Sequence, residues 1–209
     1  MTHYRWVLLA LLPLAAACGD GATALPGPTP PDSTAPQDSL HFLRATPASP
    51  PLADRIVSFW AVKGERRELR LMYRPAPGAV DSVEFARLRV DDRSLVNRPD
   101  GTPLADGDSI LITMSVVDTL NLIAEVQPAG LVFSPSRPAR LWLKYGEADP
   151  DLNRDGLVNA ADTALVLALK IWKQEQPGDP WQVLPSTVNL LELEVEADIP
   201  GFTRYAVSY

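Results

Sequence analysis

The chain has 209 residues, with 26 acidic and 19 basic side chains, a formal net charge of −7, one cysteine and two histidines. No run of basic residues offsets this acidity, which argues against nucleic acid as a partner. The single cysteine excludes an internal disulfide and a thiolate metal site, and the length suffices for one sizeable domain or two small ones.

Residues 1–17 have the pattern of a secretory signal peptide. Arg5 supplies a positive charge, and the apolar run 6–17 is shorter than the about 20 residues that a membrane-spanning helix needs. The sequence LAAAC, which ends at Cys18, resembles the bacterial lipobox, although Ala15 stands where that motif prefers leucine. The resemblance implies that Cys18 is diacylated and anchors the chain at the outer membrane or cell surface. An ordinary signal peptide with a chance cysteine is the alternative.

Residues 18–53 are rich in Pro, Gly, Ser, Thr and Ala and contain few large apolar side chains. Such a composition buries too little surface to offset the entropy lost on ordering. We therefore expect a disordered tether that holds a domain at 54–209 away from the membrane.

In the domain, apolar residues recur at every second position in short runs, which is typical of half-buried strands. These runs are RIVSFWA, RELRLMY, SVEFARLRV, SILITMSV, LNLIAEVQ and ARLWLKY. Turn-forming Pro, Gly and Asp separate them at 75–78, 100–103, 106–108 and 128–130. Many short strands with frequent turns predict an all-β fold, an Ig-like β-sandwich.

The acidic segment DLNRDGLVNAAD at 151–162 has the spacing of a calcium-binding loop, with glycine at its sixth position. Six residues would supply the oxygens for calcium: Asp151, Asn153, Asp155, Leu157, Asn159 and Asp162. The pattern resembles the half-repeat of dockerins, which implies a cohesin as one alternative partner. Dockerins normally carry two such loops, and this chain has only one. A solvated acidic turn without metal is the other interpretation.

After this loop, strict alternation favours a short helical turn at Ala160–Ala164 and a strand at Val166–Lys173, rather than an EF-hand helix at Ala161–Gln174. The sequence PGDP at Pro177–Pro180 predicts a hairpin turn, and Leu190–Asp198 predicts a strand with leucines on one face and glutamates on the other.

Two segments carry a further resemblance. Pro128–Tyr145, and Trp181–Asn189 with the following LEVEADIPGFTRYAVSY, are similar to the β-sandwich domain shared by zonula occludens proteins, ankyrins and netrin receptors. The matching positions are turns and core residues, so the resemblance implies a fold and no enzymatic activity.

The sequence offers little reaction chemistry. His3 lies in the signal segment and His41 in the predicted tether, so the domain has no histidine base or zinc ligand. Carboxylates are numerous enough for a glycosidase pair, although most lie at turns or on polar strand faces. Trp172 falls opposite the apolar stripe of its predicted strand and is the candidate for sugar stacking, whereas Trp60, Trp142 and Trp181 are expected mainly in the core.

These observations predict a non-catalytic cell-envelope lipoprotein that serves as an adhesion, scaffold or structural module. Its partner would be an unidentified protein or glycan, and its acidic loop would bind calcium. The alternatives are an extracellular carbohydrate-binding or carbohydrate-active protein, and a dockerin-like partner of a cohesin.

Overall fold

A computed structural model describes residues 34–75, 77–78 and 83–209. The predicted signal segment and Cys18 lie outside the described residues, as does the first part of the predicted tether. None of the helices in the described ranges has the length and apolar character needed to cross a bilayer.

The described residues form short strands, one 3-10 helix at Gln37–Ser39 and one α-helix, α1 at Ala160–Val166. The strands are β1 (Thr34–Ala35), β2 (Ile56–Val62), β3 (Arg67–Met72), β4 (Glu84–Val90), β5 (Leu95–Asn97), β6 (Ser109–Asp118), β7 (Ile123–Gln127), β8 (Val132–Phe133), β9 (Ala139–Lys144), β10 (Lys170–Gln174), β11 (Trp181–Val183), β12 (Ser186–Asn189), β13 (Glu194–Ile199) and β14 (Arg204–Ser208).

The strands form two main antiparallel sheets. One has the order β1-β11-β10-β14-β7-β6-β2, and the other has the order β12-β13-β9-β4-β3. A small third sheet pairs β5 with β8. Alternate side chains of both main sheets, among them Leu71, Leu141, Ile112 and Met114, are fully buried in one continuous core. The predicted all-β sandwich is confirmed.

One local prediction is also confirmed. Pro177–Pro180 lies in the hairpin turn between β10 and β11, where Trp172 pairs with Val183. In β4, a register shift opposite Leu71 and Met72 interrupts the alternation and leaves both Phe85 and Ala86 buried.

The predicted strand at Val166–Lys173 is wrong at its start. Helix α1 continues to Val166, and the N–H groups of Ala168 and Leu169 donate to carbonyls three residues earlier, so β10 begins only at Lys170. Leu169 is fully buried, whereas Leu167 is 64% exposed. The capping box at the start of α1 therefore favours a helix here, although apolar residues alternate along this short segment.

The predicted strand at Leu190–Asp198 is shorter than expected. Residues 190–193 form a turn in which the N–H groups of Leu191 and Glu192 donate to the Asn189 side chain, and β13 begins at Glu194. Leu191 is 95% exposed as a result. Pairing of β12 with β13 requires this reversal of the chain.

The predicted boundary between tether and domain at residue 54 is also wrong. Phe42 and Leu43 are buried, Phe42 pairs with Ser208 as an isolated bridge, and the Leu43 N–H donates to the Val207 carbonyl. Thr34 and Ala35 pair with β11. The apolar side chains at 42 and 43 suffice to anchor a segment whose average composition resembles a linker.

Candidate functional site: the acidic loop and the groove beside it

The acidic loop closes on itself through bonds from backbone N–H groups to side-chain oxygens. The carboxylate of Asp151 accepts from the N–H groups of Asp155 and Gly156, at 3.2 and 2.8 Å. The Asn153 side-chain oxygen also accepts from Asp155, and Asp155 accepts from the Leu157 N–H. Gly156 has φ of 86°, a conformation that favours glycine. These bonds order the loop around its own side chains.

The last two predicted ligands cap helix α1. Asn159 is the N-cap and accepts from the Ala161 N–H at 2.8 Å, while Asp162 accepts from the Asn159 N–H at 2.9 Å. This reciprocal capping box satisfies N–H groups that the first helical turn leaves without carbonyl partners. Asp162 also accepts from the Asn153 N–H at 3.2 Å, and so joins the start of the loop to the helix.

Contacts with both ends of the described domain hold the loop in place. The Arg154 guanidinium donates to the Phe42 carbonyl at 3.0 Å, and the Tyr209 hydroxyl donates to the Leu152 carbonyl at 2.6 Å. The Tyr209 ring stacks on His41 with centroids 5.1 Å apart. The loop is thus fixed to the segment before β2 and to the C-terminal residue.

The structure brings the predicted calcium ligands into one turn but does not gather their carboxylates. Among the described residues, no three His, Cys, Asp or Glu side chains are grouped so that they could hold a metal ion. The oxygens of Asp151, Asn153, Asp155 and Asp162 instead accept backbone N–H groups. Carboxylate and amide oxygens are the donors that a hard cation prefers, and each keeps a further lone pair, so the residue types fit calcium.

An apolar groove of about 380 Å³ lies between the loop, helix α1 and the turn before β13. Its volume falls within the range typical of ligand sites. Its walls include Leu43, Leu152, Val166, Leu167 and Leu193. Several aliphatic side chains in or beside it are strongly exposed, namely Leu157, Val158, Leu167, Leu190, Leu191 and Leu193.

Polar side chains also line the groove. Tyr145 contributes to its wall, and the Tyr145 hydroxyl is buried without a hydrogen-bond partner among the described residues. Asp149 and Asp162 also line the groove. Sequence reasoning missed this groove, because its walls come from four separate segments. The one available signal was the leucine-rich stretch at 190–193, which the alternation assigned to a strand.

Trp172 is not the most exposed tryptophan of the domain. It is half-buried on β10 and packs beside Trp181, which is fully buried. Trp142 is covered by the guanidinium of Arg87, 4.4 Å from its ring centroid. Trp60 on the edge strand β2 is 57% exposed, contrary to the expectation that it packs in the core.

A second, charged cleft is lined by Glu84 and Lys144, both of which form ion pairs. Glu84 contacts Arg70 and Arg87 at 3.4 and 3.7 Å, and the buried Glu194 contacts Lys144 at 3.0 Å. These pairs link β3, β4, β9 and β13 across one sheet. Such pairing places both carboxylates in an ion-pair network across the sheet.

The replacement Asp162→Asn is expected to reduce the loss of folding free energy that occurs as the pH falls. Hydrogen bonding from the Asn159 N–H, and then from the Asn153 N–H, lowers the pKa of Asp162. The group therefore stabilises the fold above its unfolded pKa of about 3.9, and this contribution is lost as the pH falls through the lower folded pKa.

Urea unfolding of the full chain between about pH 6 and about pH 2 measures this dependence. The exposed Asp106 supplies the matched control, because Asp106→Asn removes the same charge from a different turn. If the free energy of unfolding decreased with falling pH as steeply in Asp162→Asn as in the unaltered protein, the proposed contribution of Asp162 would be contradicted.

Comparison of the chain with protein-family models, with curated proteins and with solved structures found no match. The resemblances to the lipobox, to dockerins and to the domain of zonula occludens proteins, ankyrins and netrin receptors therefore stay predictions from the sequence.

Proposed function

We propose that this chain is a bacterial cell-envelope lipoprotein whose β-sandwich is a non-catalytic adhesion or scaffold module that binds a protein partner in the apolar groove. The lipobox-like sequence before Cys18 supports the anchor, and the acyl chains would hold the domain at the outer membrane or cell surface. His41 is the one histidine in the described residues, and it stacks on Tyr209 beside the loop.

The observation that carries the binding role is the groove and the aliphatic side chains around it. Leu157, Val158 and Leu167 are each about two-thirds exposed at 66%, 66% and 64%. Exposed apolar patches of this kind are typical of interaction surfaces, because their hydration costs free energy that a partner would recover.

The acidic side chains around the groove indicate which kind of protein segment would bind there. Asp149 and Asp162 line it, and Asp151, Asp155 and Glu192 lie on the adjoining turns. A protein segment with aliphatic side chains flanked by Lys or Arg matches both the apolar walls and the acidic rim. A cohesin remains one member of the wider class of protein partners.

Calcium would act on the loop beside this groove rather than in a reaction. Side-chain oxygens of Asp151, Asn153, Asp155 and Asp162 would hold it, with Asn159 and the Leu157 carbonyl completing the predicted set. A bound cation would neutralise part of the acidic charge and fix the loop that carries Leu157 and Val158. In this way calcium would set the shape of one wall of the groove.

The anchor is tested by Cys18→Ser in the native host. We expect the unaltered chain to fractionate with membranes and to carry acyl chains on Cys18 by mass spectrometry, and the variant to leave the membrane fraction. Membrane association that survives in Cys18→Ser would remove the lipoprotein assignment.

The calcium role is tested by thermal unfolding of the full chain. For a dissociation constant of about 0.1 mM, calcium at about 10 mM should stabilise the fold by about 2.7 kcal/mol. That increment raises the melting temperature by about 5–10 °C in a domain of this size. Asp155→Ala should abolish the rise, and Asp106→Ala should retain it. An unaltered protein whose melting temperature does not respond to calcium would exclude this role.

The groove is tested with a synthetic amphipathic peptide that presents leucines flanked by lysines. Leu167→Asp should weaken its binding by about tenfold or more, equivalent to about 1.4 kcal/mol, because a charge replaces an apolar contact at the groove. Leu120→Asp is the control, since Leu120 is 56% exposed at another turn. Equal binding by the two variants, or no binding by the unaltered protein, would remove the groove from the proposal.

A second candidate function is carbohydrate binding, and the exposure of Trp60 favours it over the half-buried Trp172. An exposed indole can stack on a sugar ring. Glycan binding that disappears in Trp60→Ala and persists in Leu167→Asp would support this candidate in place of the protein-binding groove.

A further inference from the structure

The two main sheets end in four edge strands, and three of them carry features that discourage pairing with another chain. β1 has two residues and β12 has four. β3 carries Arg67, Glu68 and Arg70 and has a register shift between Leu71 and Met72. Short length, charge and bulges are the means by which proteins protect sheet edges.

Edge strand β2 has none of these protective features. Its seven residues, IVSFWAV, include no charged residue and no proline. Its register with β6 runs without a shift from Ile56 opposite Ser115 to Val62 opposite Ser109. A long, regular and uncharged edge of this kind is a template for a further strand.

The hydrogen-bond pattern shows which backbone groups are open. The Lys63 N–H donates to the Asp108 carbonyl, and the Val116 N–H donates to the Arg55 carbonyl, so the odd-numbered residues of β2 bond to β6. In an antiparallel pair the intervening residues direct their N–H and C=O groups to the other side. These residues are Ile56, Ser58 and Trp60, and no backbone group among the described residues pairs with theirs.

The side chains of the same residues are exposed and uncharged. Ile56 is 65% and Trp60 57% exposed, and Leu111, which lies opposite Trp60 on β6, is 44% exposed. Ser58 bonds to Thr113 across the pair at 2.8 Å. Open backbone groups and an apolar, uncharged surface thus coincide at one edge of the domain.

The chain's own N-terminal segment is a poor occupant of this edge. Residues 26–31 contain Pro26, Pro28, Pro30 and Pro31, which have no N–H group to donate. A strand without charge or proline is required, and β2 itself meets that requirement.

We infer that β2 pairs antiparallel with β2 of a second copy of this chain, about a two-fold axis near Ser58, and joins two seven-stranded sheets into one. In this register the three residues with open backbone groups match one another: Ser58 lies opposite the partner's Ser58, and Ile56 lies opposite the partner's Trp60, so apolar side chains pair on either side of the axis. The pairing is independent of the groove and of calcium.

The test is analytical ultracentrifugation of the full chain in detergent over a range of protein concentrations. The unaltered protein should form a dimer, and Ser58→Lys should weaken self-association by about tenfold or more, because like charges then face each other across the axis. Thr113→Lys is the matched control. It breaks the same Ser58–Thr113 bond and adds the same charge to the same face, but on an interior strand that is already paired on both sides. This variant should remain dimeric.

Hydrogen exchange on the unaltered protein provides a second measurement that does not depend on how a variant folds. The amides of Ile56, Ser58 and Trp60 should become protected as protein concentration rises. A protein that stays monomeric at all concentrations would overturn the inference, as would a dimer that Ser58→Lys leaves intact. Protection of these amides that is independent of concentration would also overturn it, because it would show that the edge is covered within one chain.

Discussion

Apolar side chains from the two main sheets meet in one core, and every other feature of the domain depends on their burial. The only cysteine lies outside the domain, so the described fold has no covalent cross-link to hold it. Fully buried residues such as Leu88, Ile171, Val195 and Tyr205 come from both sheets. Burial stabilises by about 25 cal/mol per Å² of apolar surface, so a continuous core of this kind can fix the loops that cross its ends. The Tyr205 hydroxyl donates to the Gly201 carbonyl, and burial raises the pKa of this tyrosine.

The acidic loop shows how a polar segment is ordered on such a core. Leu152 is buried, and its carbonyl accepts the Tyr209 hydroxyl, while the neighbouring Arg154 reaches the Phe42 carbonyl. Between these anchors, carboxylate and amide oxygens accept the N–H groups that a tight turn leaves without partners. Oxygens of this kind are suited to calcium, so a bound cation would further stabilise a loop conformation that these hydrogen bonds already hold.

Among the described residues, the groove and the β2 edge both carry exposed apolar side chains, and they differ in what they offer a partner. The groove beside the loop combines aliphatic walls with an acidic rim, and so suits a basic, aliphatic protein segment. The β2 edge has no charge and presents open backbone groups, and so suits another strand. The outer face of the β3–β4–β9–β13 sheet instead carries ion pairs such as Arg140 with Asp198 at 2.8 Å and Lys144 with Glu194 at 3.0 Å.

The all-β class, the hairpin at Pro177–Pro180 and the helical turn after the acidic loop follow from local pattern, because alternation, turn residues and capping residues act over short stretches of chain. Local pattern did not predict that Phe42 and Leu43 belong to the core, that Leu191 lies in a turn, or that Trp60 rather than Trp172 is the more exposed indole. The groove and the open edge of β2 likewise depend on segments far apart in sequence. Local pattern shows which residues alternate, but burial is fixed by which strand lies next to which, and that is a property of the whole packed domain.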